Sequence, residues 1–212
     1  SNDWVLDRGA ECSLDIEELF DLAASGRMDR MFLSGLQIDR WGSANVTRLG
    51  EDKVRVKLPG GGGGCNLSCD VGNVTLWTAA HRSQPGRDNR RLFRLVEHCD
   101  FITNLGHHTA DGRSRSALGH RGGGPDWLLT ELGLFDFDHE GHLRLCALYP
   151  DVDVAEVAAN TGFPLRVADD IGQIPLPDAE SLAIVRKLDP MNVHMKELRS
   201  ADHERRFPLG RS

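Results

Sequence analysis

The chain has 212 residues, with 25 Lys plus Arg against 32 Asp plus Glu, 40% hydrophobic residues, 23 Gly and 5 Cys. This is enough for one α/β domain or two small ones with a real core. The net charge of −7 argues against a duplex nucleic-acid binder, which needs cations to displace counterions from phosphates. No stretch nears the roughly 20 apolar residues of a membrane helix, and no apolar segment opens the chain as a signal peptide would. Five scattered cysteines read as reduced thiols, which makes the cytoplasm the expected location.

Periodicity alternates between helix and strand along the chain. Residues 13–24 carry Ile16, Leu19, Phe20 and Ala23 on one helical face, with Asp15 and Glu18 spaced for a capping box and Gly26 as the stop. Residues 30–38 predict a buried strand, ended by the breaker Arg40-Trp41-Gly42. Residues 53–58 alternate strictly, as in a strand with one wet face. Residues 74–80 and 101–105 are apolar runs of strand length, and Leu92, Leu95, Val96 and Cys99 space residues 89–99 as an amphipathic helix.

Residues 127–137 and 142–149 flank Asp138-His139-Glu140-Gly141, the pattern of a β-hairpin. Asp153 and Glu156 open a short helix through Asn160, with Gly162 at its left-handed C-terminal position. Asp178 caps a helix over 179–188 that Asp189-Pro190 ends. The expected fold is α/β: an open, mostly parallel twisted sheet with helices on both faces and an antiparallel hairpin near one edge. Residues 1–190 are expected to form that domain and 191–212 a polar C-terminal extension.

Pro59 is followed by Gly60, Gly61, Gly62, Gly63 and Gly64, then Cys65-Asn66-Leu67-Ser68. Glycines between a strand and a helix start let successive backbone N–H groups converge on an anion, or on an oxyanion forming at a thioester carbonyl. The run lacks the Lys-Ser/Thr of a P-loop and does not fit the dinucleotide fingerprint. A plain flexible loop is the equal alternative on these residues alone.

Three further segments surround this run: Gly35-Leu36-Gln37-Ile38-Asp39-Arg40-Trp41-Gly42-Ser43-Ala44-Asn45, Thr130-Glu131-Leu132-Gly133-Leu134-Phe135-Asp136-Phe137, and Asn160-Thr161-Gly162-Phe163. In that order they resemble the β subunit of family I CoA-transferases, above all the glutaconate CoA-transferase type. The resemblance covers most of the chain, from Cys12 to Asp189. It implies an α subunit of similar architecture, in a heterodimer or a dimer of heterodimers, with the active site between the two. The substrate it implies is a coenzyme A thioester, with no tightly bound cofactor. In the family a β-subunit glutamate attacks the acyl-CoA, passing through an anhydride to an enzyme–CoA thioester beside the glycine loop. By position Gly61, Gly62, Gly63, Gly64 and Asn66 match that loop, and Asn45 matches the Asn preceding it.

No segment of this chain matches the one that carries the family's glutamate. Glu11, Glu17 and Glu18 lie in other contexts, and Glu131 falls in the late strand motif, where the family has no nucleophile. No catalytic residue is therefore assigned, and the chain reads as lacking the first third of a typical β subunit. Relatives on this scaffold resemble CoA-thioester ring hydrolases of steroid breakdown and a glutaconyl-CoA-type decarboxylase. A non-catalytic assembly role is the reading from a different class.

Other groupings have plainer expectations. His81, His98, His107, His108 and His120 show no zinc spacing and read as surface or loop residues. Cys65 and Cys69 read as small apolar fillers, and Ser68 has no evident triad. Arg82, Arg87, Arg90, Arg91 and Arg94 could hold CoA phosphates, but a solvated helix face is the expectation. The second glycine-rich loop, 119–125, reads equally as a mobile flap or a plain connection.

Overall fold

A computed structural model describes residues 9–86 and 91–193. The chain runs through α1 (Ile16–Ala24), β1 (Arg30–Ser34), β2 (Gln37–Asp39), β3 (Ala44–Asn45), β4 (Arg48–Leu49), β5 (Val56–Lys57), α2 (Gly64–Asp70) and β6 (Asn73–Thr78). It continues through β7 (Gln84–Pro85), β8 (Arg91–Leu92), β9 (Leu95–Val96), β10 (Pro125–Thr130), β11 (Gly133–Phe137), β12 (Leu143–Leu148), α3 (Val154–Asn160), β13 (Arg166–Gln173) and α4 (Ala179–Leu188).

Six strands form the main sheet in the order β1-β6-β10-β11-β12-β13. β1, β6 and β10 are mutually parallel, β10-β11-β12 run antiparallel, and β13 returns parallel to β12 at the edge. The expected hairpin is β11–β12, one strand in from that edge. The expected strand over 127–137 is in fact two strands, because the chain reverses at Glu131-Leu132. Val74, Leu76, Leu128, Phe135, Leu143 and Leu145 point to one face and are buried with Ile38, Leu95 and Val157. Each such side chain contributes about 1.5–3 kcal/mol on burial. On the other face Phe32, Trp127 and Leu129 stay exposed, Phe32 at 68%.

The capping signals are realised. The Asp15 amide donates to Glu18 Oε2 at 2.8 Å, Asp153 Oδ1 accepts from the Glu156 amide at 2.7 Å, and Asp178 Oδ1 accepts from the Ser181 amide at 2.7 Å. Four further expectations are corrected. The 30–38 run breaks at Gly35, where a Cβ would lie 2.8 Å from Gln37 O, and β2 leaves for a small sheet of order β3-β2-β9.

Residues 89–90 lie outside the described residues, and 91–99 form no helix; Leu95–Val96 pairs with Ile38–Asp39 instead. Apolar spacing there served a strand pairing far away in sequence, which overrides local propensity. Residues 101–105 hold only an isolated bridge from Asn104 to Ala44. Gly162 does not take a positive φ; it is glycine because a Cβ would meet Leu95 O at 2.8 Å.

Candidate functional site

The glycine run leaves the β4–β5 ribbon beside the turn at Val46-Thr47. The Leu58 amide donates to Thr47 O at 2.9 Å and the Gly60 amide to Val46 O at 2.8 Å. Gly60 and Gly62 take φ of +93° and +50°, a region that favours glycine. A Cβ on Gly61 would lie 2.7 Å from Thr103 Cγ2, and one on Gly63 would lie 3.0 Å from the Phe20 ring. The loop is thus wedged against Thr103, Phe20 and, at Gly64, Leu33. Neighbours on several sides set its course, which is unlike a flexible connection. The Gly64 amide closes back on Gly61 O at 2.8 Å, while the amides of Gly61, Gly62 and Gly63 donate to no protein acceptor among the described residues. Three successive uncommitted amides in a tight loop are a concavity for a partial or full negative charge.

Asn45 sits one layer behind. It is fully buried, with Nδ2 donating to Gln37 Oε1 and Arg48 O, each at 2.7 Å. Its Oδ1 accepts from the amides of Thr47 at 3.0 Å and Arg48 at 3.3 Å. Its side chain is therefore committed to shaping the turn that holds Gly60. Thr103 Oγ1 reinforces that turn by accepting from the Val46 amide at 3.0 Å. Asn66 is exposed on α2, with Oδ1 3.3 Å from the Cys65 thiol.

Beyond the carboxyl ends of β1 and β6 lies a pocket of about 250 Å³, the usual place for a ligand in parallel α/β sheets. Ser34, Gly35, Val46, Trp77, Ala79 and Ala80 line it. Leu36, Ala80 and Arg94 are shared with a neighbouring cleft of about 400 Å³ that also includes Arg55, Arg82 and Phe93. Val46 joins the pocket to the glycine loop through the Gly60 hydrogen bond. A larger hollow of about 670 Å³ opens at the other ends of the strands, among His107, His108, Arg115, His120 and Asp138. Asp126, Asp136 and Asp138 on its wall are held by Arg30, Arg144 and Arg166.

The pocket rim is anchored from β10–β11. Glu131 is buried, and its Oε2 accepts from the His81 amide at 2.9 Å while Oε1 accepts from the Arg82 amide at 2.8 Å. That geometry agrees with a non-nucleophilic Glu131. His81, expected at the surface, is instead fully buried. Its Nε2 lies 3.1 Å from Thr161 Oγ1, and its Nδ1 lies 3.1 Å from Thr130 Oγ1. Because Thr161 Oγ1 donates to Val157 O at 2.9 Å, it accepts from His81, which assigns the proton to Nε2. Burial, aided by Arg82, lowers the His81 pKa to about 3. A sequence signal for this role existed only as the Thr130-Glu131 pair, since the amides it holds lie far upstream.

The described arginines tie loops down, which corrects the expected solvated helix face; Arg87 and Arg90 lie outside the described residues. Arg82 pairs with Glu156 at 2.8 Å, Arg91 lies over the Phe93 ring, and Arg94 donates to Leu36 O at 2.8 Å. The Cys69 thiol is pushed up by burial, and Ser68 Oγ donates to Cys65 O at 3.1 Å. The second glycine-rich loop is pinned, Gly122 to Cys69 O at 2.8 Å and Gly123 to Gly72 O at 2.9 Å, as in a plain connection. No group of three His, Cys, Asp or Glu among the described residues could hold a metal ion. No described helix is long and apolar enough to cross a membrane.

No family model matches the chain. Over 166 residues, 77% of its length, it is 30% identical to the β subunit of the 3-oxoadipate CoA-transferase of Pseudomonas knackmussii. Over 187 residues, 87% of its length, it is 26% identical to the IpdB chain of the cholesterol ring-cleaving hydrolase of Rhodococcus jostii. The chain spans 60% of the first relative and 69% of the second. The crystal structure of the decarboxylase AibA/AibB superposes with a TM-score of 0.71 at 27% identity, over 90% of this chain and 69% of that one. Sequence similarity and a shared mixed sheet together show that the chain belongs to the family I CoA-transferase β subunits.

Proposed function

We propose that this chain contributes the thioester cradle of a CoA-transferase-like enzyme acting on the acyl-CoA of a dicarboxylic or 3-oxo acid. Its active site would be shared with an α subunit, in a heterodimer or a dimer of heterodimers. The observation that carries this reading is the fixed loop of Gly61, Gly62 and Gly63, with three amides uncommitted within the described protein, beside a pocket at the carboxyl ends of β1 and β6. Such amides stabilise the oxyanion that forms when a thioester carbonyl is attacked. Gly64 and the turn built by Asn45 hold the loop in place, and Asn66 stands at its exit toward solvent. Glu131 is committed to two backbone amides, so the attacking carboxylate of a transfer reaction is assigned elsewhere in the assembly. The proposed unit is one α/β domain over 1–190 with a polar extension over 191–212, working in the cytoplasm on a soluble thioester.

Two other chemistries fit the same cradle. The ring-cleaving hydrolase and the decarboxylase among the similar proteins favour a second reading, in which a base and water, or loss of CO2, replace acyl exchange. Incubation of the assembled enzyme with acyl-CoA, with and without an acceptor acid, separates them. Exchange that requires the acceptor supports transfer; free CoA alone marks hydrolysis, and CO2 marks decarboxylation. Absence of all three, with acyl-CoAs of several chain lengths, overturns the reading in favour of a non-catalytic assembly role.

A further inference from the structure

We propose that Glu131 is a positioning residue for acyl-CoA binding: its buried carboxylate holds the loop after β6, and with it the rim of the candidate pocket, in the shape that accepts ligand. The inference rests on the thioester reading above. It begins from strand register. β6 and β10 are parallel neighbours with Thr78 opposite Thr130, so the residue after Thr130 faces the loop that leaves Thr78. That residue is Glu131, at the sharp reversal between β10 and β11. Both oxygens are used, one on the His81 amide and one on the Arg82 amide. A buried carboxylate is costly unless such donors satisfy it.

What the carboxylate holds is the pocket wall. Ala79 and Ala80 line the pocket immediately before His81, and Ala80 and Arg82 line the adjoining cleft. Neighbouring ties all act on the same short loop. The Ala80 amide donates to Thr78 Oγ1 at 3.2 Å, the Ser83 amide donates to Asn160 Oδ1 at 3.0 Å, and His81 is bracketed by Thr130 and Thr161. A sheet end needs none of these to remain a sheet. Their convergence on Thr78–Ser83 is what a preorganised binding rim requires, because a loop ordered in advance loses less freedom when ligand binds.

The test compares wild type with Glu131→Gln and Glu131→Asp in the assembled enzyme, by steady-state kinetics on acyl-CoA and by melting temperature. Gln offers one acceptor oxygen and sets an NH2 group against the second amide. Asp keeps both oxygens one methylene short. E131Q is expected to raise KM for acyl-CoA at least fivefold with kcat within twofold, and E131D to recover most of that loss. Hydrogen exchange in E131Q is expected to rise at His81 and Arg82 while core strands such as β11 stay protected. Unchanged KM in a folded E131Q overturns the proposal, as does a fall in activity that only tracks the lost folded fraction. Wild type without turnover or binding of any acyl-CoA overturns the thioester reading, and the positioning role with it. An active wild type with an indifferent E131Q removes the positioning role alone.

Discussion

The Gly60 amide donates to Val46 O at 2.8 Å, and this one bond joins the glycine loop to the turn that Asn45 shapes. The loop therefore inherits its position from a residue whose own side chain is committed to the backbone around it. Asn45→Ala removes four hydrogen bonds and strands the partners of a fully buried side chain. We predict a loss of about 2–3 kcal/mol in urea unfolding. An unchanged unfolding midpoint would show that the turn forms without it.

Gly61 and Thr103 are predicted to be energetically coupled. Gly61→Ala places a methyl 2.7 Å from Thr103 Cγ2, an overpacking that costs about 1–3 kcal/mol. Thr103→Ser removes that methyl and keeps the hydroxyl that accepts from the Val46 amide. The double variant should be more stable than the sum of the singles predicts by about 1 kcal/mol or more. Strict additivity in the unfolding cycle would contradict the wedged loop.

His81 is predicted to resist protonation in the folded protein. Its pKa is lowered to about 3 against about 6.5 in an unfolded chain. The unfolded state then binds the extra proton first, so this stability is complete above pH 6.5 and is lost as pH falls toward 3. The full loss is roughly 5 kcal/mol. Imidazole nitrogen shifts from pH 8 to 4 should report a neutral ring with the proton on Nε2; a titration near pH 6 would refute the burial argument.

Asp39 acts in the opposite sense. Burial raises its pKa to about 6, although the amides of Ser43 and Trp41 and the nearby Arg40 pull it down. A raised acid favours the folded state at low pH, so its contribution is lost as pH rises from about 3.9 to 6, by roughly 3 kcal/mol. Asp39→Asn keeps an oxygen for both amides, at 2.9 Å each in the wild type, and cannot ionise. The variant's stability relative to wild type should rise with pH across that window, read by urea unfolding at pH 4, 5, 6 and 7. Taking the difference at each pH removes the opposing His81 slope. A flat difference would contradict the shift.

What the sequence discloses follows from how far its causes reach. The starts of α1, α3 and α4 were legible because Asp15, Asp153 and Asp178 cap amides within three residues. The β11–β12 hairpin was legible because its turn is local. Residues 89–99 misled because Leu95 is placed by Ile38, and nothing local distinguishes that pairing from a helical face. The glycine run announced where a site could lie, yet its rigidity depends on Thr103 and Phe20. Glu131 was recognisable as a motif residue, but its partners are fifty positions away, so its task could not be inferred from its neighbours.

The division of the main sheet also orders its assembly. β10, β11 and β12 follow one another over short turns, whereas β1, β6 and β10 must close two intervals of about forty residues or more before any parallel bond forms. Local hairpins form early and non-local parallel pairs late. The pocket lies on the late pairs and the glycine loop inside the first long interval, so both are completed last and open most readily. A cradle finished at the end of folding is one that a ligand or a second chain can still stabilise after the rest of the sheet is in place.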